Sequence, residues 1–327
     1  MATVKPESAF KREKELLELY RSDPYLAAHD LLVWEGKPVE LQWYQVKVLE
    51  SLFKGTPFVM LIMSRGLGKT WLLAIYLILT AVLWPYQRLG IVGPSYRQSK
   101  FLFGYITQFI EESPYLQACL KDKPRRGNDM CEVSFKTSNI KALPLGDGEK
   151  IRGARFYRLV VDEAAYVDRE IFETVIIPFL SVGKNNQLVL SSTSSYQFNW
   201  LYKYYLDWYE RSKKDPNRYA VHVHNFMDAD HVDRNTIEMS IRNMPRSIFA
   251  MEYLSLWVSD TEGFFPASLI ESAKSASVQP ELYGTQGASY VMGIDPGDTI
   301  GAITIVKVGP PHKVVYTQQY QDYGWHQ

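Results

Sequence analysis

The sequence contains little cysteine, no surplus of either charge and no long uninterrupted hydrophobic run. Only two cysteines occur in the 327 residues, Cys119 and Cys131, and they form no CxxC pair. This spacing excludes a disulfide framework and a cysteine-based zinc site, so we expect two reduced thiols in a cytosolic protein. The most apolar stretch, residues 71–84, is interrupted by Thr80 and followed by Pro85, and it predicts no membrane-spanning helix.

The balance of charge narrows the class of protein further. Lysine and arginine total 36, as do aspartate and glutamate, so the formal net charge is zero. Proteins that wrap nucleic acid statically are usually basic, and a neutral chain argues against that class. Neutrality still allows a protein that grips and releases DNA through a local basic patch. The hydrophobic fraction of 46% is sufficient for a full-sized core, and the length favours two domains.

From residue 58 onward, apolar runs alternate with segments of helical periodicity, after an N-terminal region that reads as two helices. Continuous apolar strands separated by helices are typical of a parallel sheet covered on both faces. The predicted strands are 58–63, 88–92, 156–161 and 187–192, with helices at 70–83, 96–112 and 168–180. A hairpin is predicted at 131–136 and 140–145, and further strands at 290–294, 302–308 and 313–320, whereas residues 199–259 are mixed and polar.

A variant phosphate-binding loop connects the first predicted strand to the helix that follows. It reads Ser64-Arg65-Gly66-Leu67-Gly68-Lys69-Thr70, and Met63 stands where the common GxxxxGK[ST] pattern has its first glycine. Gly66 and Gly68 allow backbone N–H groups to approach phosphate oxygens. Lys69 is assigned to the β- and γ-phosphates and the Thr70 hydroxyl to Mg²⁺, so ATP and Mg²⁺ are the predicted ligands. A chance GKT sequence after a strand is the alternative.

Two carboxylates end a later apolar run, where residues 158–163 read Arg-Leu-Val-Val-Asp-Glu. Asp162 suits Mg²⁺ coordination, directly or through water. Glu163 points elsewhere if the chain is extended, and it can polarise the attacking water. A strand that ends in a solvated acidic turn would look the same, but the combination with the phosphate loop favours an ATPase.

In their order and spacing, these motifs resemble those of the large terminase subunits of tailed bacteriophages, over about residues 30–310. The loop resembles that family's in lacking its first glycine and in carrying Arg65 near its start. Upstream, Leu41-Gln42-Trp43-Tyr44-Gln45 is similar to an adenine motif in which Gln45 would read the adenine edge. A surface position on an amphipathic helix is the alternative for Gln45.

Two further motifs carry the resemblance. Arg152 and Arg155, within Ile151-Arg152-Gly153-Ala154-Arg155, resemble a recurrent RGxR-like element, and Ser191-Ser192-Thr193 stands where the family has a coupling motif of small hydroxyl residues. The alternatives are solvated loop arginines and a strand end with capping hydroxyls. We interpret Arg65, inside the loop, as an arginine finger in cis, and Arg152 or Arg155 as a finger in trans.

The segment Gly293-Ile294-Asp295-Pro296-Gly297 resembles the first strand of an RNase H-like nuclease domain. Asp295 would be the first carboxylate of a two-metal site. We find no candidates for the remaining ligands before Gln327, so we expect a truncated nuclease domain without endonuclease activity.

The predicted fold is α/β: a RecA-like P-loop ATPase with a mostly parallel sheet between helices, followed by the first strands of the nuclease domain. The expected divisions are a helical N-terminal region with the adenine motif at 1–57, the ATPase core with a lid or linker subdomain at 58–262, a linker at 263–288 and the incomplete nuclease domain at 289–327.

The resemblance implies an ATP-driven motor that moves double-stranded viral DNA into a procapsid in the host cell cytoplasm. Its implied partners are the portal protein, the small terminase subunit and further copies of the chain in a ring. A monomer in solution is compatible with this ring. The resemblance implies no membrane partner. A helicase-like translocase or remodelling ATPase is the alternative, against which the 293–297 segment argues. A nucleotide-dependent switch or small-molecule kinase is disfavoured because Glu163 is suited to activating water.

Overall fold

A computed structural model describes residues 7–145, 151, 153–181, 183, 185–259, 281, 283–295, 300–310 and 312–321. The chain divides into two compact units, Met1–Asp260 and Thr261–Gln327. Within the described ranges, no helix has the length and apolar character needed to cross a membrane.

The first unit opens with two helices, α1 (Glu7–Ser22) and α2 (Pro24–Leu31). The two helices predicted for the N-terminal region are confirmed, and the break between them falls at Asp23. Asp23 caps α2 by accepting the backbone N–H of Leu26, and Pro24 occupies the first helical position, where no N–H is needed. A short hairpin, β1 (Val33–Trp34) and β2 (Lys37–Pro38), leads into α3 (Trp43–Phe53).

An 8-stranded sheet forms the centre of this unit. Its strands are β3 (Phe58–Met63), β4 (Arg88–Val92), β5 (Leu120–Arg126), β6 (Cys131–Phe135), β7 (Asn139–Ala142), β8 (Arg158–Asp162), β9 (Gln187–Ser192) and β10 (Tyr219–His224). Their spatial order is β10-β3-β9-β8-β4-β7-β6-β5. All neighbours from β10 to β7 are parallel, while β6 runs antiparallel to β7 and β5. The predicted mostly parallel sheet and its hairpin are confirmed.

Helices cover both faces of the sheet. They are α4 (Lys69–Leu83), α5 (Tyr96–Glu112), α6 (Pro114–Cys119), α7 (Arg169–Ile171), α8 (Trp200–Lys214), α9 (Arg234–Asn243) and α10 (Arg246–Leu254). Successive residues of β3 point to opposite sides of the sheet, with Leu61 in one apolar cluster and Ile62 in the other. The continuous apolar pattern of the strand follows from this burial on both faces.

The helix predicted at 168–180 is irregular. After α7 the chain forms a π-helical turn at Phe172–Ile176 and a 3-10 turn at Ile177–Leu180. Pro178 has no N–H to donate and its ring would crowd the preceding turn, so a regular α-helix cannot continue through it.

Two strands of the sheet were not predicted. β5, with the sequence LKDKPRR, is an edge strand and is mostly exposed, so it lacks the apolar pattern of a buried strand. β10, with the sequence YAVHVH, is half-buried, and its two histidines interrupt the apolar signal. β10 matters for the site because it pairs with β3 up to His224 opposite Met63.

The second unit contains a three-stranded antiparallel sheet, β11 (Ser289–Asp295), β12 (Ile300–Val308) and β13 (Lys313–Gln321), in sequential order. These strands agree with the three predicted from the sequence. Asp295 is the last residue of β11 and lies opposite Ala302. Asp298 and Asp322, the other acids of this region, lie outside the described residues.

Candidate nucleotide-binding site

The predicted phosphate loop follows the carboxyl end of β3, between the neighbouring strands β10 and β9. Gly66 and Gly68 have φ angles of 82° and 72°, which residues with a Cβ rarely adopt. A Cβ added to Gly68 would also lie 3.2 Å from Nε2 of Gln45. The loop encloses a cavity of about 620 Å³, lined by Ser64, Arg65, Gly66, Leu67, Gly68, Lys69, Thr70, Trp71, Gln98, Phe101, Tyr105, Glu163, Tyr166 and Thr193.

Lys69, the first residue of α4, is buried beside this cavity and its Nζ donates to the carbonyl of Met63 at 3.0 Å. Met63 occupies the position where the common loop has its first glycine. Its side chain is buried in the core on one face of the sheet, and its carbonyl holds the lysine. The loop therefore uses the backbone of residue 63, which explains how a methionine can stand there.

Thr70 and Asp162 meet at the carboxyl end of the sheet, where the Thr70 hydroxyl donates to Oδ2 of Asp162 at 3.0 Å. Burial raises the pKa of Asp162, while nearby Lys69 and the Thr70 hydroxyl act in the opposite direction. Hydroxyl and carboxylate oxygens are ligands that Mg²⁺ prefers, usually one or two from the protein with the rest from phosphates and water. One hydroxyl and one carboxylate oxygen from the protein match this pattern, so the pair fits a nucleotide-bound Mg²⁺.

Glu163 has a left-handed backbone, with φ 53° and ψ 45°, an unfavourable conformation for a residue with a side chain. Its N–H donates to Oδ1 of Asp162 at 3.1 Å. The two adjacent acids therefore lie in different parts of the site: Asp162 contacts Thr70, and Glu163 lines the loop cavity. Burial raises the pKa of Glu163, the charge of Lys69 lowers it and that of Asp162 raises it again. The predicted divergence of the two carboxylates is present, but it arises from this kink and not from strand alternation.

The three hydroxyl residues at the end of β9 connect the acids to the cavity. Ser191 lies opposite Asp162 in the β8–β9 register, and the Ser192 hydroxyl accepts the N–H of Ala165 at 3.3 Å. Thr193 lines the cavity. All three are buried, so they are not merely solvated caps at a strand end.

The segment after β10 clasps the phosphate loop. The backbone N–H of Arg65 donates to the backbone carbonyl of Glu252 at 2.8 Å, and the Arg65 guanidinium pairs with the Glu252 carboxylate. His231 lies 2.9 Å from the Gly66 carbonyl through Nε2. Sequence reasoning missed Glu252 and His231, because both belong to polar helix-and-loop sequence and carry no motif.

Gln45 lies against the loop and is buried, which excludes the surface position considered above. Its Nε2 donates to the Leu67 carbonyl at 3.3 Å, and its Oε1 accepts the N–H of Gln42 at 2.9 Å. The Tyr44 hydroxyl donates to the same Leu67 carbonyl at 3.2 Å. The aromatic–glutamine segment thus braces the loop through one backbone carbonyl.

Of the three remaining predicted residues, only Arg155 belongs to the described part of the first unit. Arg152 lies outside the described residues. Arg155 is partly buried, with Nη1 donating to the Ala154 carbonyl at 2.7 Å, and it is not among the residues that line the cavity. Asp295 belongs to the second unit.

The first turns of α5 form a second wall of the site. Ser95 caps α5 by accepting the Gln98 N–H at 3.3 Å. These turns bring two exposed cations to the acids, around a cavity of about 490 Å³ lined by Thr70, Arg97, Gln98, Lys100, Phe101, Asp162 and Glu163.

The chain is similar to known proteins both in sequence and in fold. The family described as terminase large subunit, T4likevirus-type, N-terminal, matches residues 60–272. The large terminase subunit of Thermus virus P23-45 is 24% identical over 200 residues, which are 54% of this chain and 40% of that protein. The match therefore spans well under two thirds of that relative's length.

Solved structures share the fold. The large terminase of bacteriophage HK97 has a TM-score of 0.58 at 16% identity, covering 92% of this chain and 66% of that chain. A large terminase from a thermophilic bacteriophage has a TM-score of 0.55 at 16% identity, covering 86% of this chain and 69% of that chain. The same thermophilic protein in complex with ADP matches with a TM-score of 0.55 at 15% identity, again covering 86% of this chain and 69% of that chain.

Proposed function

The chain belongs to the T4-like family of large terminase subunits, and on this basis we propose that it is the ATP-hydrolysing motor that moves double-stranded viral DNA into a procapsid. The observation that carries the proposal is the 3.0 Å contact between Thr70 and Asp162 beside the phosphate loop, with Glu163 turned into the loop cavity. The thermophilic relative in complex with ADP supports a nucleotide in this cavity.

In this proposal each residue of the cavity has one task. The loop backbone and Lys69 bind the β- and γ-phosphates, and the N-terminal end of α4 contributes its positive dipole. Thr70 and Asp162 would hold Mg²⁺, which would neutralise phosphate charge. Glu163 accepts a proton from the attacking water. The oxygen of this water bonds to the γ-phosphorus, and the bond between the γ-phosphorus and the β–γ bridging oxygen breaks.

The residues around the cavity position the loop and connect it to the rest of the unit. Gln45 supports the loop, and to read the adenine edge its amide would exchange the bonds to Gln42 and Leu67 for bonds to the base. Ser191, Ser192 and Thr193, at the end of β9, couple the acids to the residues that follow that strand. The hydroxyl of Ser194, the next residue, donates to the Met251 carbonyl at 3.0 Å and so connects β9 to α10.

We further propose the portal protein, the small terminase subunit and other copies of the chain in a ring as partners, in the host cytoplasm. A helicase-like translocase is not favoured by the family match.

The proposal is tested by ATP turnover with Mg²⁺, with and without linear duplex DNA, for the chain alone and on portal-bearing procapsids. We expect turnover that requires Mg²⁺ and increases when DNA and procapsids are present. Strand separation of a forked duplex, with no transport into procapsids, would support a helicase instead.

The pair between Arg65 and Glu252 gives a further prediction. Arg65 is 68% exposed and Glu252 16%, so this ion pair competes only modestly with the γ-phosphate for the guanidinium. In Glu252→Gln we expect the affinity for ATP relative to ADP to rise by about 1.5- to 5-fold, the effect of losing an exposed pair of about 0.2–1 kcal/mol. Nucleotide titration of the wild type and the variant measures the ratio.

A matched control is available in the same segment of the chain. Glu238 pairs with Arg242 on the surface of α9, so Glu238→Gln removes an ion pair without touching the loop. Its ATP-to-ADP affinity ratio should equal that of the wild type. An unchanged ratio in Glu252→Gln would show that Glu252 does not compete for Arg65.

A further inference from the structure

The end of the parallel sheet opposite the phosphate loop bears a groove with excess positive charge. Two adjoining cavities, of about 1220 Å³ and 310 Å³, form it and share Gln87 and Tyr157. They lie at the amino ends of the parallel strands, and we call them together the amino-edge groove. Its charged lining residues are Lys54, Arg88, Lys121, Lys136, Arg158, Arg218 and a single acid, Asp215.

One of these cations has an internal structural role. Arg158 is partly buried and its Nη1 donates to Oε1 of Gln187 at 2.9 Å, between the starts of neighbouring strands. The other five are exposed and form no ion pair within the part of the chain that the structure describes: Lys54, Arg88, Lys121, Lys136 and Arg218. The chain as a whole has no net charge. The groove is therefore a local concentration of unneutralised positive charge.

Guanidinium groups lie over three of the aromatic rings in the groove. Arg88 lies over Tyr157 at 5.6 Å, Arg158 over Trp84 at 5.8 Å and Arg218 over Phe58 at 5.8 Å. Stacking holds these charges in place.

The dimensions of the groove fit a linear polyanion. It runs from the start of β10 to the start of β7, six neighbouring strands in the sheet. Strands lie about 4.7–4.9 Å apart, which gives a length of roughly 24 Å. Duplex DNA carries one charge per about 1.7 Å of its axis, or roughly 14 phosphates over that length.

We propose that the amino-edge groove binds the phosphodiester backbone of duplex DNA without reading its sequence. The inference rests on the proposed function, since it adds the contact surface that a DNA motor needs. Exposed amides in the same lining, Asn185 and Asn217, supply hydrogen-bond donors to phosphate and sugar oxygens. Three strands that begin in the groove, β3, β8 and β9, end beside the nucleotide cavity, so one sheet joins the two sites.

The test is binding of a short fluorescent linear duplex over a range of salt concentrations. A triple variant, Lys54→Ala with Lys121→Ala and Lys136→Ala, removes three exposed cations of the groove. The slope of log affinity against log salt is expected to become shallower by about 0.9 for each phosphate that is no longer neutralised, or roughly 2.7 in total. Basal ATP turnover should be unchanged, because none of the three lysines lines the nucleotide cavity.

The matched control replaces three exposed lysines elsewhere, Lys14, Lys203 and Lys214, and should keep the wild-type slope. A triple groove variant with the wild-type slope and affinity would overturn this proposal alone, provided that the wild type binds DNA. Normal DNA binding combined with failure to attach to portal-bearing procapsids would make the groove a protein-binding surface and also overturn it. A wild-type chain that neither binds duplex DNA nor hydrolyses ATP would overturn the proposed function as well.

Discussion

Glu163→Gln is expected to bind ATP as the wild type does and to lose about 10²–10⁴-fold in turnover. The amide has the shape of the carboxylate but cannot accept the proton of the attacking water. The loss corresponds to about 3–5 kcal/mol of activation barrier. The substitution leaves the left-handed backbone at this position and the contact between Thr70 and Asp162 unchanged, so the effect should be confined to the chemical step.

Lys69→Ala is the contrasting variant for this experiment. It removes the ammonium that we propose binds the phosphates and also the bond to the Met63 carbonyl, so both nucleotide binding and turnover should be lost. Equilibrium binding of a fluorescent ATP analogue and single-turnover hydrolysis separate the two variants. Turnover by Glu163→Gln at the wild-type rate would remove Glu163 from the role of general base.

The central strands and the loop could be predicted because local sequence determines them. β3 is apolar at every position, and the glycines at 66 and 68 have positive φ angles that only glycine adopts readily. The meeting of Thr70 with Asp162 follows as well, because parallel strands bring their carboxyl ends to the same edge of the sheet.

The groups that clasp the loop could not be predicted. Glu252 and His231 contact Arg65 and Gly66 because β10 lies beside β3 in the sheet and the chain after β10 passes over the loop. The sequence of β10 does not predict a strand clearly, because its two histidines interrupt the apolar pattern. The kink at Glu163 is similar in kind. An acidic residue after a strand does not reveal a left-handed backbone, which is held by the fold around it.

Removal of Arg152 or Arg155 is expected to reduce ATP turnover of the assembled motor by about 10³–10⁵-fold, if one of them stabilises the γ-phosphate of a neighbouring subunit. Phosphoryl transfer concentrates negative charge on that group, and an added guanidinium lowers the barrier. Arg152 directly precedes Gly153, and Arg155 lies two residues after it. Arg155 does not line the cavity of its own subunit, which is consistent with action elsewhere.

Mixed motors distinguish action in trans from action in cis. Subunits with Lys69→Ala keep their arginines but cannot hydrolyse ATP, and subunits with Arg152→Ala or Arg155→Ala keep an intact phosphate loop. Neither population should turn over ATP alone. Mixed on procapsids, they should regain turnover, because an intact arginine from one subunit then faces an intact loop in the next. Arg65→Ala in place of the finger variant should not be rescued by mixing, since Arg65 lies in the loop of its own subunit. If Arg152→Ala and Arg155→Ala each leave the turnover of the assembled motor unchanged, the trans assignment is wrong.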